Sequence, residues 1–317
     1  MSIFKSISRR GFGALALAGL VAASAGATSA QAATPDEIKA RGKLTVGVMT
    51  DYPPFGGIDA QQQPEGYDAD VAKALADSLG VQLELVPVTG PNRIPYLLTN
   101  KVDVLIATLG ITAPRAKQVL YSNPYSTLTI SVLAPKSLEI KTPEDLKSVT
   151  ISVSRASTEQ AALEAVAPQG TPIKIFDDDA TSIQALISGQ TQALGASTVV
   201  LAHLTKSFPQ LNIEPKILLN QQANGMAFRK ADTELRDYAN TFIEKIVASG
   251  ELSKINEKWF GFPLEKLPPM PELYAIPDYA NRRERCSVSR QDTFCRQAAA
   301  GWRRLPPWRP TALRAPL

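Results

Sequence analysis

The chain has 317 residues, 44% of them hydrophobic and 20% charged. That balance excludes a wholly disordered, collagenous or coiled-coil protein, and the length suits about two domains. One histidine and two cysteines argue against a zinc site and leave little for a Ser-His-Asp triad, so neither a metal nor another cofactor is expected. The net charge of +4 divides unevenly: residues 1–32 hold Lys5, Arg9 and Arg10 with no acid, and residues 277–317 hold nine arginines against Asp278, Glu284 and Asp292, which leaves 33–276 at −5. The two ends therefore set the pI of 9.0. The body, with no basic stripe, is not expected to bind nucleic acid.

Residues 1–32 read as an export signal. Lys5, Arg9 and Arg10 precede a small-residue apolar run from Gly11 to Ala27, and Ala30-Gln31-Ala32 forms an A-x-A cleavage pattern before Ala33. Ser8-Arg9-Arg10-Gly11-Phe12 resembles a twin-arginine signal, although Gly13 and Ala14 stand where a Leu and a Lys are usual. The run is short, rich in Ala and Gly, and followed by a cleavage site, which favours removal over a membrane anchor. No Cys follows it to carry a lipid. The mature protein is expected to be soluble in the periplasm.

The body opens with "KLTVGVM", a buried strand that runs into the turn chemistry of Asp51-Tyr52-Pro53-Pro54. In "GYDADVAKALADSLG", Val71, Leu75 and Leu79 fall at helical spacing and Gly80 is the stop. "VQLELVPV" alternates as a strand, and "VDVLIATLG" is a second apolar strand. A parallel series follows: strand "VTISVS", helix Thr158 to Val166, strand "IKIF", helix Asp179 to Ser188, strand "TQALGAS" and helix "TVVLAHLTKSF". "NGMAFRK" reads as a strand, and helices over Thr233 to Ala248 and Glu251 to Trp259 close the body. Alternation of this kind predicts α/β units with a mostly parallel sheet. Two such series predict two lobes with a ligand cleft between them, at the carboxyl ends of the strands. From Pro277 on, Arg, Pro and Ala dominate without apolar periodicity. Residues 277–317, which hold both Cys286 and Cys295, read as a disordered basic tail without function.

The ordered set "LTVGV…YPPF", "GYDADVAKALA", "VPVTGPNRIPYL", "GITAPRAKQVLYSNPY", "ISVSRAST" and "GELSKINEKWFG" resembles the periplasmic solute-binding proteins of ABC transporters, in the polar amino-acid family. The resemblance covers Leu44 to Phe262. It implies the type II periplasmic binding fold: two α/β lobes, 33–133 plus 225–276 and 134–224, joined by a two-strand hinge that crosses near Val132–Pro135 and Gln221–Gly225. It also implies a monomer that hands its ligand to an ABC permease.

The same resemblance carries site roles. Arg115 forks onto a ligand carboxylate, as guanidinium geometry allows, with Thr108 and Gly110 beside it. Gly110 stands where a hydroxyl residue is common, and Thr112 is expected to cap the helix that carries Arg115. Ser157 and Thr158 open a second-lobe helix whose positive end completes the carboxylate site, with Ser154 as a selector. Tyr52 and Phe55 wall the pocket, with core packing the equal alternative for Phe55. Asn92 and Arg93, in "NRIP", favour an anionic ligand. Ser197 replaces the Asp that pairs with an α-ammonium in relatives, and Asp51 or Glu65 is left to compensate. His203 is a helix-surface or core-edge residue.

The function implied is a receptor for a small polar anionic solute, an amino acid or a dicarboxylate, closed around it by population shift. The alternative is an exported enzyme resembling cyclohexadienyl dehydratases, with Glu65 or Asp51 as general acid. A sensory module ranks last, because no transmembrane helix or signalling domain follows Phe262.

Overall fold

The computed structural model describes residues 32–271. The expected export signal up to Gln31 and the expected tail with Cys286 and Cys295 lie outside them.

Thr34 caps the first helix with a capping box: its hydroxyl accepts from Glu37 N, and the Glu37 carboxylate accepts from Thr34 N. Helix α1 (Pro35–Arg41) leads into β1 (Lys43–Met49), a short hairpin of β2 (Gly57–Ile58) and β3 (Pro64–Glu65), and α2 (Tyr67–Leu79). Helix α2 buries Val71, Leu75 and Leu79 as its spacing predicts, and Gly80 ends it in the left-handed conformation. Next come β4 (Gln82–Val88), α3 (Arg93–Leu98), β5 (Val104–Leu105), α4 (Ala113–Ala116) and the long β6 (Leu120–Pro135). The second series is β7 (Ile151–Ser154), α5 (Thr158–Val166), β8 (Ile173–Phe176), α6 (Asp179–Ile187), β9 (Ala193–Ser197) and α7 (Thr198–Ser207). The chain returns through β10 (Ile213–Phe228) and finishes with α8 (Thr233–Ala248) and α9 (Glu251–Phe260).

Eight strands form one continuous sheet in the order β4-β1-β5-β10-β6-β9-β7-β8. Within each lobe the neighbours β4-β1-β5 and β9-β7-β8 are parallel, as the βαβ spacing requires. The lobes are joined because β6 and β10 run antiparallel along their whole length, from Ile213 opposite Pro135 to Phe228 opposite Leu120. The pair carries register shifts on both sides of Gly225 and near Pro215 and Leu218. Bulges of this kind bend a ribbon without breaking it. Residues Ile130–Leu133 are already paired with β9. Just before them, Ser126–Thr129 of β6 lie opposite Gln221–Asn224 of β10.

One core runs through the first lobe and the hinge, with Leu44, Leu75, Leu105 and Phe228 fully buried, and continues into the second lobe at Leu186, Leu194, Val200 and Leu204, while a smaller one lies under Ile151, Val153 and Leu163. Each such side chain contributes about 1.5–3 kcal/mol of burial. The aromatic rings of Phe55, Tyr67 and Phe260 pack together at 4.8–5.7 Å between centroids. They lock the loop after β1 to the last helix.

Candidate functional site

Loops at the carboxyl ends of β1, β4 and β5 face the starts of α5 and α6 across the gap between the lobes. They line a narrow cavity of about 20 Å³. Met49, Tyr52, Gly90, Arg93 and Thr108 line it from the first lobe, and Arg155, Ser157, Thr158, Glu159 and Asp179 from the second.

The first lobe supplies the positive wall. Arg93 is 4% exposed. One of its terminal nitrogens donates to Ala107 O at 2.6 Å and lies against the Met49 sulfur. Thr108 sits at φ +49, a conformation rare for a β-branched residue. A buried carboxylate holds it there. Thr108 Oγ1 donates to Asp68 at 2.7 Å, Tyr125 Oη donates to the other Asp68 oxygen at 2.8 Å, and Thr108 N donates to Tyr125 Oη.

Burial pushes the Asp68 pKa up to about 6 in spite of these bonds. The folded chain thus holds this proton more tightly than the unfolded chain. Its contribution to native stability should fall as pH rises from about 4 to about 6 and stay level above. Asp68→Asn should remove that slope, on the order of 3 kcal/mol. Urea unfolding of both proteins at pH 4 and pH 7 measures it. A wild-type-to-variant difference that is the same at both pH values would refute it.

The second lobe supplies the negative wall. Glu159, in the first turn of α5, is 8% exposed, and its second carboxylate oxygen accepts from Thr158 Oγ1 at 3.1 Å. Tyr52 Oη crosses from the first lobe to lie 3.1 Å from both Glu159 Oε1 and Ser197 Oγ. The phenol has one proton, which goes to the carboxylate, while the serine hydroxyl can donate in return. Asp179, the first residue of α6, accepts from Ser154 Oγ, and its backbone N–H reaches across to Asp51 Oδ2 at 2.9 Å. Asp51 Oδ1 is buried with no hydrogen-bond partner. Burial holds the Asp179 carboxyl well above the usual range, and the charges of Asp51 and Glu159 push the same way. Burial also raises Asp51, with Asp178 adding to it. Asp51, Glu159 and Asp179 thus lie near one another where the lobes touch.

The sequence-derived candidates separate into groups. Tyr52, Arg93, Thr108, Ser157 and Thr158 line the cavity. Asp51, Ser154 and Ser197 stand behind it: Asp51 and Ser154 hold Asp179, while Ser197 caps α7 by accepting from Val200 N. Arg115 spans the lobes outside the cavity lining. Its guanidinium donates to Gly110 O at 3.1 Å and to Ala156 O of the second lobe at 2.7 Å. Burial, then the Arg93 charge, pulls its pKa down to about 10. Asn92 accepts from Thr89 N and shapes the loop before α3. Phe55 is fully buried in the aromatic cluster, so core packing is its role. Gly110 pairs with Asn224 of the hinge. Thr112 occupies the cap position of α4 without a side-chain cap bond. Glu65 is exposed on the β2–β3 hairpin, away from the cavity lining.

The acids beside the cavity that could replace the missing one near Ser197 are thus Glu159 and Asp179, which the sequence reading passed over. Each follows a cap, in "ASTE" and "DDDA", where acids ordinarily complement the helix dipole. Nothing in either string marks a ligand contact. Among the described residues no cluster of His, Cys, Asp and Glu could hold a metal ion.

Two α/β lobes on a two-strand hinge, with a charged cleft between them, define a solute-binding protein of the type II periplasmic fold. The chain belongs to the bacterial extracellular solute-binding proteins, family 3, whose family model matches residues 44–262. It is 30% identical over 233 residues to the L-cystine-binding protein TcyJ of Escherichia coli K12, covering 73% of this chain and 87% of that protein. Among solved structures it resembles a solute receptor for L-cysteine of Neisseria gonorrhoeae (30% identity, TM-score 0.67, 72% of this chain and 93% of that one). It also resembles the ancestral amino acid-binding protein AncCDT-1, a precursor of cyclohexadienyl dehydratase (35% identity, TM-score 0.67, 72% and 100%).

Proposed function

We propose that the protein is the receptor of an ABC importer and binds a zwitterionic amino acid in the interlobe cleft, for delivery to a membrane permease. One observation carries this reading: Arg93 faces Glu159 and Asp179 across a single small cavity, so the two charges of an amino acid each meet their opposite. The carboxylate goes to Arg93 and Thr108 of the first lobe, and the ammonium goes to the acidic wall of Glu159 and Asp179. The negative wall outweighs the anionic preference that Arg93 and Arg115 suggest when read alone. The cystine- and cysteine-binding relatives support an amino acid as ligand.

Calorimetric titration of the exported protein with cystine, arginine, glutamine, glutamate and succinate tests it. Saturable binding of at least one amino acid, with none of succinate, is expected. Succinate binding as tightly as any amino acid would overturn it. Glu159→Gln and Asp179→Asn should each weaken an amine-bearing ligand about 10- to 100-fold, the worth of a hydrogen bond to a charged group. The raised carboxyl of Asp179 adds a sign: affinity should rise with pH as that group ionises. Affinities at pH 5 and pH 8 measure it.

A dehydratase on this scaffold is the second reading, favoured by one observation. The cavity holds a carboxyl with the raised pKa that a general acid needs, and it is Asp179 rather than Glu65. Turnover of prephenate or arogenate, lost in Asp179→Asn, would establish it.

A further inference from the structure

Ala33 is the residue that follows the A-x-A pattern. Its backbone nitrogen donates to Asp232 Oδ1 at 2.9 Å, and its side chain packs against the first-lobe core. Asp232, at the start of α8, is 1% exposed. Its other oxygen accepts from Arg229 N and pairs with Arg229 Nε at 2.9 Å. Immediately after Ala33, the Thr34 capping box fixes the first turn of α1. The bond therefore joins two positions held rigidly from both sides, far apart in the chain. A neutral amide is a modest partner for a carboxylate buried this deeply, and burial raises the Asp232 pKa accordingly.

We infer that Asp232 is the docking site for the amino terminus created when the leader is removed. Hydrolysis of the Ala32–Ala33 peptide bond adds water across it. The hydroxyl goes to the Ala32 carbonyl carbon, which leaves with the leader as a carboxylate, and the nitrogen of Ala33 becomes an ammonium. That ammonium forms at the atom already 2.9 Å from Asp232, so processing turns a neutral hydrogen bond into a buried ion pair. The charged groups nearby are Arg229, paired with Asp232 ahead of α8, Asp103, which acts on Asp232 and is itself paired with Arg41, and Glu37 of α1, which accepts from the neighbouring Thr34 N. Maturation thereby fastens α1 to α8 and strengthens the first lobe only once export has occurred.

The ion pair raises the pKa of the terminal amine above its ordinary 7.7–8.0. Its stabilisation is complete below that ordinary value and is lost as pH rises through the raised one. The full precursor expressed in an exporting bacterial host should yield a product whose amino-terminal sequence begins at Ala33. Four proteins then isolate the contact: chains with a free Ala33 amine, released from a cleavable fusion, and chains that retain Ala30-Gln31-Ala32, each with Asp232 or Asp232→Asn. At pH 6.5 the substitution should lower the melting temperature by about 2–4 °C more in the free-amine chain. At pH 10 this excess should disappear. An equal loss in both chains at both pH values, or a mature terminus other than Ala33, would overturn the inference. The wild-type amine, titrated by NMR after isotopic methylation, provides a reading independent of the variants. A pKa within 7.7–8.0 would overturn it as well.

Discussion

Arg93→Met should weaken amino-acid binding by about 100-fold or more, because it removes the counter-charge from a buried carboxylate subsite. Arg93 is almost fully buried, and one bond to Ala107 O leaves the rest of its fork beside the cavity. Methionine fills similar volume but offers no donor, so a bound carboxylate would lie desolvated and unpaired. Arg115 does not replace it, since its guanidinium is engaged by Gly110 O and Ala156 O. Arg93→Lys should recover part of the loss, keeping the charge without the planar fork. Calorimetry gives the affinities, and the ligand-free melting temperature separates a binding defect from misfolding. Unchanged affinity in a well-folded Arg93→Met protein would remove Arg93 from the site.

Gly90→Ala is the second large effect expected, and it acts through closure rather than through the ligand. A Cβ at Gly90 would stand 2.7 Å from the carbonyl oxygen of Arg155. Gly90 belongs to the first lobe and Arg155 to the second, and the obstructing atom is backbone, which cannot swing aside. The lobes would have to stop short of the Tyr52–Glu159 and Arg115–Ala156 contacts. Overpacking of this order costs about 1–3 kcal/mol, or 5- to 150-fold in affinity. An open arrangement escapes the clash, so thermal stability without ligand should be unaltered. Small-angle scattering with and without ligand would show less compaction than in the wild type. Full compaction and full affinity in Gly90→Ala would refute the argument.

Much of the fold was legible in the sequence because burial follows period. Helices α2, α5, α6 and α8 lie where their apolar spacing and flanking caps put them, and the order of segments carried the family and its two-lobed architecture. The hinge strands β6 and β10 were not legible as units. Their runs are broken by Pro124, Pro215 and a string of amides, and their alternation is interrupted by bulges, so only the final "NGMAFRK" of β10 read as strand. The apolar "VDVLIATLG" looked like a long strand, yet only Val104 and Leu105 form β5. Beyond them the chain turns into the cleft through Thr108.

The site divided in the same way. Arg93, Thr108, Ser157 and Thr158 stood in strings that marked them. Glu159 and Asp179 did not, because an acid after a helix cap usually serves only its own helix. Tertiary contact with Tyr52 and Asp51 brings them to the cavity, and no local pattern records that contact.

The route of the chain through the sheet also sets an order of assembly. The second lobe is one uninterrupted stretch, whereas the first is sewn together from both ends: Leu105 of β5 pairs with Ala227 of β10, and Asp70 of α2 receives Trp259 and Lys258 of α9. Loops this long are slow to close. A nascent chain that has emerged through the first half of β10 can complete the second lobe, but it leaves β5 and the inner face of α2 waiting for partners not yet made. The first lobe, with the guanidinium half of the cleft, is then the last part of the molecule to become native. A receptor able to recognise its solute exists only after the final helix has arrived.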